Sequence, residues 1–338
     1  MKTKALLALT VPFFIAACGS DSSSGGSKTG SLTVKLTDAP VDGAANVFVT
    51  VGGVSLNFND AGWVDHNFDT PQKVDLLTLQ GGETLTLFPQ ADVLAGSYQV
   101  RLNLHDDGDA ATNEHYLVEN DSSAEQPLTI PSGSQTGLKL SSSIVVPANG
   151  SADYTIDFDV RRSVVLRGNA QNNNGYSLKP VLRLIDNTVA DSISGVITDT
   201  DPSLFTTDCS DDDPLTHNVV YVYEGTGVTP DDYGSAGTEA VTTAPVQYNE
   251  TSGEYSYVTA PLLAGEYTVA LTCNADAEDV EADDELSFKA ISTVTVTAGA
   301  SDTEADDEDD EVEAEGDEAE EENDAVEERP AAEAVAQN

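Results

Sequence analysis

Gly30-Ser31-Leu32-Thr33-Val34-Lys35-Leu36-Thr37-Asp38-Ala39-Pro40 alternates apolar and polar residues and then stops at a proline. Period-two alternation marks a strand with one face buried and one face wet. Proline ends it because it has no N–H to give to a ladder. The same period recurs along the chain. Val47, Val49 and Val51 form one set, Gly52-Gly53 reads as a hairpin turn, and Val54, Leu56 and Phe58 return from it. Leu85–Leu87, Tyr98–Leu104, Leu138–Val146, Tyr154–Val160 and Leu178–Ile185 continue the pattern, and only Val74–Leu79 reads as a short helical turn. The fold class predicted is all-β.

Composition breaks at Asp186–Asp191, and a second strand-rich region follows: Ile193–Thr198, Val219–Tyr223, Glu254–Val258, Glu266–Thr272 and Ile291–Thr297. Each region is long enough to bury a core of its own. The expected organisation is two β-sandwiches, 30–186 and 191–299, followed by a tail, 300–338. The tail is Ala, Glu and Asp with hardly any large apolar residue, so it is expected to be disordered. One motif occurs in both regions: Leu94-Ala95-Gly96-Ser97-Tyr98-Gln99-Val100 and Leu263-Ala264-Gly265-Glu266-Tyr267-Thr268-Val269. Glycine allows a tight turn before a strand whose Tyr and Val share a face.

The amino terminus carries an address. Lys2 and Lys4 precede an apolar run, Ala5–Ala16, too short to span a bilayer as a helix, which takes about 20 residues. Small residues and Cys18 follow, as in a secretory signal peptide. Ile15-Ala16-Ala17-Cys18 resembles a bacterial lipobox. The resemblance implies a signal peptide over 1–17, acylation of Cys18 and a lipidated Ser/Gly tether over 18–29. Ser20–Gly30 would reach roughly 18 Å. Gly19 follows the cysteine where Asp would favour retention at the inner membrane, so the expectation is an outer-membrane lipoprotein of the cell envelope, with its face open. Its partners would be the membrane, through the anchor, and an envelope protein or glycan.

Residues 30–186 resemble a domain of unknown function found in lipoproteins of Gram-negative, often marine, bacteria. The match is carried by Gly30–Pro40, Val74–Gly82, Leu94–Leu104, Pro131–Leu140 and Ile156-Asp157-Phe158-Asp159-Val160-Arg161-Arg162-Ser163. Residues 191–299 look like a carboxypeptidase-regulatory-like accessory domain. These resemblances imply immunoglobulin- or transthyretin-like sandwiches and no established activity.

The formal net charge is -46, with 60 acidic and 14 basic residues. Ser301–Asn338 holds 19 acids and one Arg, so the preceding 300 residues still carry -28. Such a surface repels nucleic acid and anionic lipid, and the expected partners include no nucleic acid. Screening in salty water tames the self-repulsion. Catalysis is not expected: no Gly-x-Ser-x-Gly elbow, His-Glu-x-x-His helix or phosphate-cradling loop occurs, and His66, His105, His115 and His217 are scattered.

Calcium is the one cofactor the acids suggest, because it takes six to eight oxygen ligands. Exported proteins form disulfides, and a Cys209–Cys273 bridge would stabilise by about 4 kcal/mol. It would bring Asp208, Asp211, Asp212 and Asp213 beside Asn274, Asp276, Glu278 and Glu285. The last four fall at positions 1, 3, 5 and 12 of a calcium-loop spacing, although Asp279 stands where that loop needs glycine. The acidic run between His105 and His115 reads as a solvated hairpin tip. Asp157 and Asp159 should face solvent or a partner while Ile156, Phe158 and Val160 face the core. Asp38 should bond the amides of a local turn. Trp63, the only tryptophan, should fill the core, with an exposed sugar-stacking role the alternative. The function expected is a non-catalytic envelope module for binding or adhesion. The alternatives are a structural spacer and, behind it, a hydrolase.

Overall fold

The computed structural model describes residues 28–39, 43–106, 114–120, 122–131, 137–169, 172–197, 218–249 and 251–298. The chain is all-β. The first sandwich contains β1 (Thr29–Ala39), β2 (Ala44–Phe58), β3 (Trp63–Asp75), β4 (Leu85–Leu94), β5 (Gly96–Leu104) and β6 (Tyr116–Glu119). It continues with β7 (Glu125–Thr129), β8 (Leu138–Val146), β9 (Ser151–Asp159), β10 (Val164–Asn169), β11 (Asn172–Leu178) and β12 (Leu182–Asp186). One sheet runs β12-β9-β1-β4; the other runs β10-β11-β7-β6-β2-β5-β8, with β3 on the free edge of β2. The alternating residues do as expected: Leu32, Val34 and Leu36, with Val47, Val49 and Val51, are fully buried in the cluster between the sheets.

The second region holds β13 (Ala190–Asp191), β14 (Ser194–Ile197), β15 (Val219–Glu224), β16 (Thr242–Pro245), β17 (Gln247–Asn249), β18 (Glu254–Val258), β19 (Leu262–Leu263), β20 (Gly265–Thr272) and β21 (Phe288–Val296). Its main sheet is β16-β15-β20-β21. Strand β15 is buried on both faces. Val220 and Val222 enter one cluster, while Val219, Tyr221 and Tyr223 enter another with Tyr233 and Ala275.

The repeated motif makes the same corner twice. The Tyr98 hydroxyl donates to the Leu94 carbonyl at 2.8 Å, and the Tyr267 hydroxyl donates to the Leu263 carbonyl at 2.8 Å. This closes a tyrosine corner of the kind that fixes strand entry in sandwiches. Gly96 is required there, since at φ +151 a Cβ would lie 2.6 Å from the Phe58 ring.

One turn falls elsewhere than expected. Gly52-Gly53 does not turn the chain; β2 runs through both glycines as a 15-residue strand. The hairpin closes at Asn59 and Asp60, both with positive φ, 46° and 59°, as two-residue turns between twisted strands favour. The glycines serve a bulge, because a Cβ on Gly53 would strike the His66 carbonyl at 2.3 Å. The helical turn expected over Val74–Leu79 is a 3-10 turn, Leu76–Leu79, capped by the Asp75 side chain.

Candidate functional site

Two polar regions stand out, one closed and one open. The closed one lies where the first sandwich meets the second region. The parallel register of β1 and β9 sets Thr37-Asp38-Ala39 beside Asp157-Phe158-Asp159. Alternation holds, with Ile156, Phe158 and Val160 in the core. The opposite face is covered rather than wet, so Asp38, Asp157 and Asp159 are 3%, 0% and 3% exposed. The expectation that Asp157 and Asp159 face solvent is therefore corrected. The covering groups come from far along the chain, where strand periodicity carries no signal.

Asp157 Oδ2 accepts from Arg183 Nε at 2.9 Å and Nη2 at 2.6 Å. Asp159 caps the single helical turn Val160–Ser163 by accepting from the Arg162 amide. Asp38 does not serve a local turn: it accepts from the Val160 amide at 3.3 Å and from Gln80 Nε2 at 3.4 Å. Burial, reinforced by the Asp157 charge, holds Asp38 well above the ordinary carboxylate range. The same causes push Asp159 up to about 6.

Arg161 reaches across to Glu278 at 3.0 Å, a pair whose side chains are 4% and 0% exposed. Glu278 also accepts from the Tyr221 hydroxyl at 2.7 Å and the Tyr233 amide at 2.8 Å. Arg162–Glu239 and Lys179–Glu281 pairs lie at the rim. A buried charge with its partners in place gives specificity more than stability, whereas loss of one partner is costly.

This fixes the fate of the acids considered for calcium. Glu278 spends both oxygens inside the protein. Asn274 Oδ1 accepts from Thr272 Oγ1 and the Ser287 amide, while Asp276 and Glu285 are exposed. Asn274, Asp276, Glu278 and Glu285 therefore do not form the loop that their spacing suggested, and no metal-holding group of His, Cys, Asp or Glu occurs among the described residues. Asp208, Asp211, Asp212, Asp213, Cys209 and His217 lie outside the described residues, as do Cys18 and the tail. His115 is 8% exposed. Its Nδ1 accepts from the Thr50 amide at 3.2 Å, and burial pushes its pKa below the ordinary value.

The open region is a groove of about 490 Å³ on the outer face of the larger sheet. Irregular pairing in three strand pairs surrounds it. The β2–β3 and β2–β5 registers both slip between Val51 and Gly53, and β5–β8 slips between Gln99 and Arg101. Bulges bend a sheet and re-aim its side chains. Here they open a trough floored by residues that the alternation sends outward: Ser55 from β2, Asp65 and Asn67 from β3, Arg101 and Asn103 from β5. Gly137, at φ +69, forms the far wall, where a Cβ would lie 2.8 Å from Asn103 Oδ1.

Ser55 Oγ lies 2.6 Å from Asp65 Oδ1 and 2.9 Å from Asn103 Oδ1. A hydroxyl has one proton to donate, and the charged carboxylate is the stronger acceptor. Asn103 Oδ1 is thus left with acceptor capacity, while its Nδ2 donates to Asn67 Oδ1 at 3.0 Å. Arg101 lies flat on Trp63, with its guanidinium carbon 3.7 Å from the ring centroid. Its Nε is buried and has no acceptor among the described residues. Trp63 is half-buried, neither a core residue nor a free stacking platform, because Arg101 covers one face. Sequence reading passed over these groove residues individually. Their signal was the outward half of the alternating strands, combined with the glycine pair in β2.

Residues 29–180 match the family model of a domain of unknown function (DUF4382). No curated protein matches the chain. A solved structure, the Bacillus anthracis TIE protein, aligns over 80% of this chain and 32% of its own length, with 11% identity and a TM-score of 0.17. This chain therefore spans about a third of that protein. Among the described residues no helix is long and apolar enough to cross a membrane.

Proposed function

We propose that this chain is an envelope lipoprotein, anchored through Cys18, that acts as a non-catalytic binding or adhesion module through the groove on its larger sheet. The observation that carries the binding half is the row of outward polar side chains around Ser55, Asp65 and Asn103, held in fixed positions by strands and bulges with hydrogen-bonding capacity left over. Recognition sites built on strands are better preorganised than sites on loops. The anchoring half rests on the lipobox resemblance around Cys18. A carboxypeptidase-regulatory-like nature for the second region is supported by its Tyr267–Leu263 corner. A Cys209–Cys273 bridge is supported by Cys273 being disulfide-bonded.

Two measurements test this reading. Cells labelled with a palmitate analogue should carry label on the native protein in the membrane fraction. Cys18→Ser should lose both label and sedimentation with membranes, and a labelled Cys18→Ser protein would refute the anchor. For binding, purified protein passed over immobilised envelope polysaccharide should bind saturably, and Asn103→Ala should abolish that binding without changing the melting temperature. Absence of saturable binding by the native protein would leave the spacer reading in its place.

A further inference from the structure

We propose that the groove takes an acidic saccharide, with sugar hydroxyls on Asp65, Asn67 and Asn103 and the anionic group on Arg101 and Lys139. The inference rests on the binding reading above and names its ligand class.

Positive charge is scarce in this chain: 14 basic residues against 60 acidic. In such a protein a cation readily finds an acid: Lys35 pairs with Asp153, Arg161 with Glu278, Arg162 with Glu239, Lys179 with Glu281 and Arg183 with Asp157. Arg101 and Lys139 have no acidic partner among the described residues. They are instead register partners, directly opposite each other across β5 and β8. Like charges directly opposite on an antiparallel pair destabilise the sheet. The arrangement persists here with the Arg101 plane pinned against Trp63 and its Nε left without an acceptor among the described residues. An anion between the two would relieve the repulsion and give the guanidinium a planar, two-oxygen partner.

The other side of the groove sets the rest of the ligand. Asp65 and Asn103 offer acceptor oxygens, which call for O–H donors. A bare polyanion would meet the Asp65 carboxylate and the protein's overall negative field. A neutral sugar would leave the opposed Arg101 and Lys139 unrelieved. A hydroxyl-rich ring bearing one carboxylate answers both sides.

The chain's one tryptophan is the native reporter, since Arg101 rests on it. Fluorescence of the full-length protein would be titrated with oligogalacturonate and, separately, with the same oligosaccharide methyl-esterified to neutrality. The acid form should change Trp63 emission saturably and bind about tenfold more tightly than the ester, an advantage that added salt erodes. Arg101→Gln should remove that preference. Lys139→Gln, at an exposed position, should weaken the acid form alone and keeps the test decisive if Arg101→Gln fails to fold. Equal binding of acid and ester would overturn the charge inference and leave a neutral-sugar module. No response to either, from a protein that still binds envelope polysaccharide, would overturn the saccharide class while the binding function stands.

Discussion

The junction and the groove use the same kinds of residue for opposite ends. At the junction, Asp157, Arg183, Arg161 and Glu278 are matched charge for charge, with Asp157, Arg161 and Glu278 sealed from water. In the groove, Arg101 and Asn103 are held as firmly by strands yet keep unused hydrogen-bonding capacity, and the groove opens onto solvent. Paired and buried charge locks the second region onto the first. Unpaired, preorganised polarity is what a ligand completes. Acidity alone does not separate the two.

The largest effect should come from breaking the junction. Arg161→Met leaves Glu278, whose side chain is 0% exposed, without its counter-charge. Removing one partner of a buried pair costs about 3–5 kcal/mol, so urea unfolding should show a large drop in midpoint. A drop as small as that of a surface change would mean that the junction is not a lock.

Next comes the pH dependence of the same region. Asp159 holds its proton in the fold up to about 6, against 3.8 as the ordinary value. The folded state therefore binds a proton that the unfolded chain releases, and that contribution is present below pH 3.8 and lost as pH rises through 6. Up to about 3 kcal/mol is at stake. Asp159→Asn keeps an oxygen to cap the Arg162 amide and should flatten the fall between those limits. An unchanged slope in unfolding experiments across that range would remove Asp159 from the account.

Smaller effects sharpen the comparison between the two halves of the fold. Tyr98→Phe and Tyr267→Phe each delete one hydroxyl bond to a leucine carbonyl. Each should cost about 1 kcal/mol. The corners share no partners, so the double variant should lose the sum. A shortfall or excess in thermal unfolding would show that the corners communicate. Smallest of all in stability, Asn103→Ala in the open groove should fall within about 0.5 kcal/mol of the native protein, as surface changes do, while its ligand binding disappears. Millimolar calcium and magnesium should raise the melting temperature equally, by general screening. A calcium-selective rise would direct attention to Asp208, Asp211, Asp212 and Asp213.

Much of the fold was legible because one period governs it. Leu32, Val34 and Leu36, and later Ile156 and Phe158, announced both strand and inner face. The Leu-Ala-Gly-x-Tyr motif announced its corner twice. What the sequence hid was whatever the alternation sends outward. Nothing local says that Arg161 is paired with Glu278, more than a hundred residues away, while Asp65 is left in the open. Gly52-Gly53 misled for a related reason: glycine marks a place where backbones come close, and a bulge in a continuous strand satisfies that as well as a turn. The groove lies among such irregularities in neighbouring strand pairs, an arrangement that becomes visible only once the strands are paired.

The most direct test of the division between lock and groove is amide hydrogen exchange of the whole protein with and without saturating envelope polysaccharide. The account predicts new protection confined to the groove's irregular segments, 51–53, 68–72 and 101–105, with the junction turn at 160–163 and the loop at 274–285 unchanged. Protection centred on that turn and loop, with the groove unaffected, would contradict it.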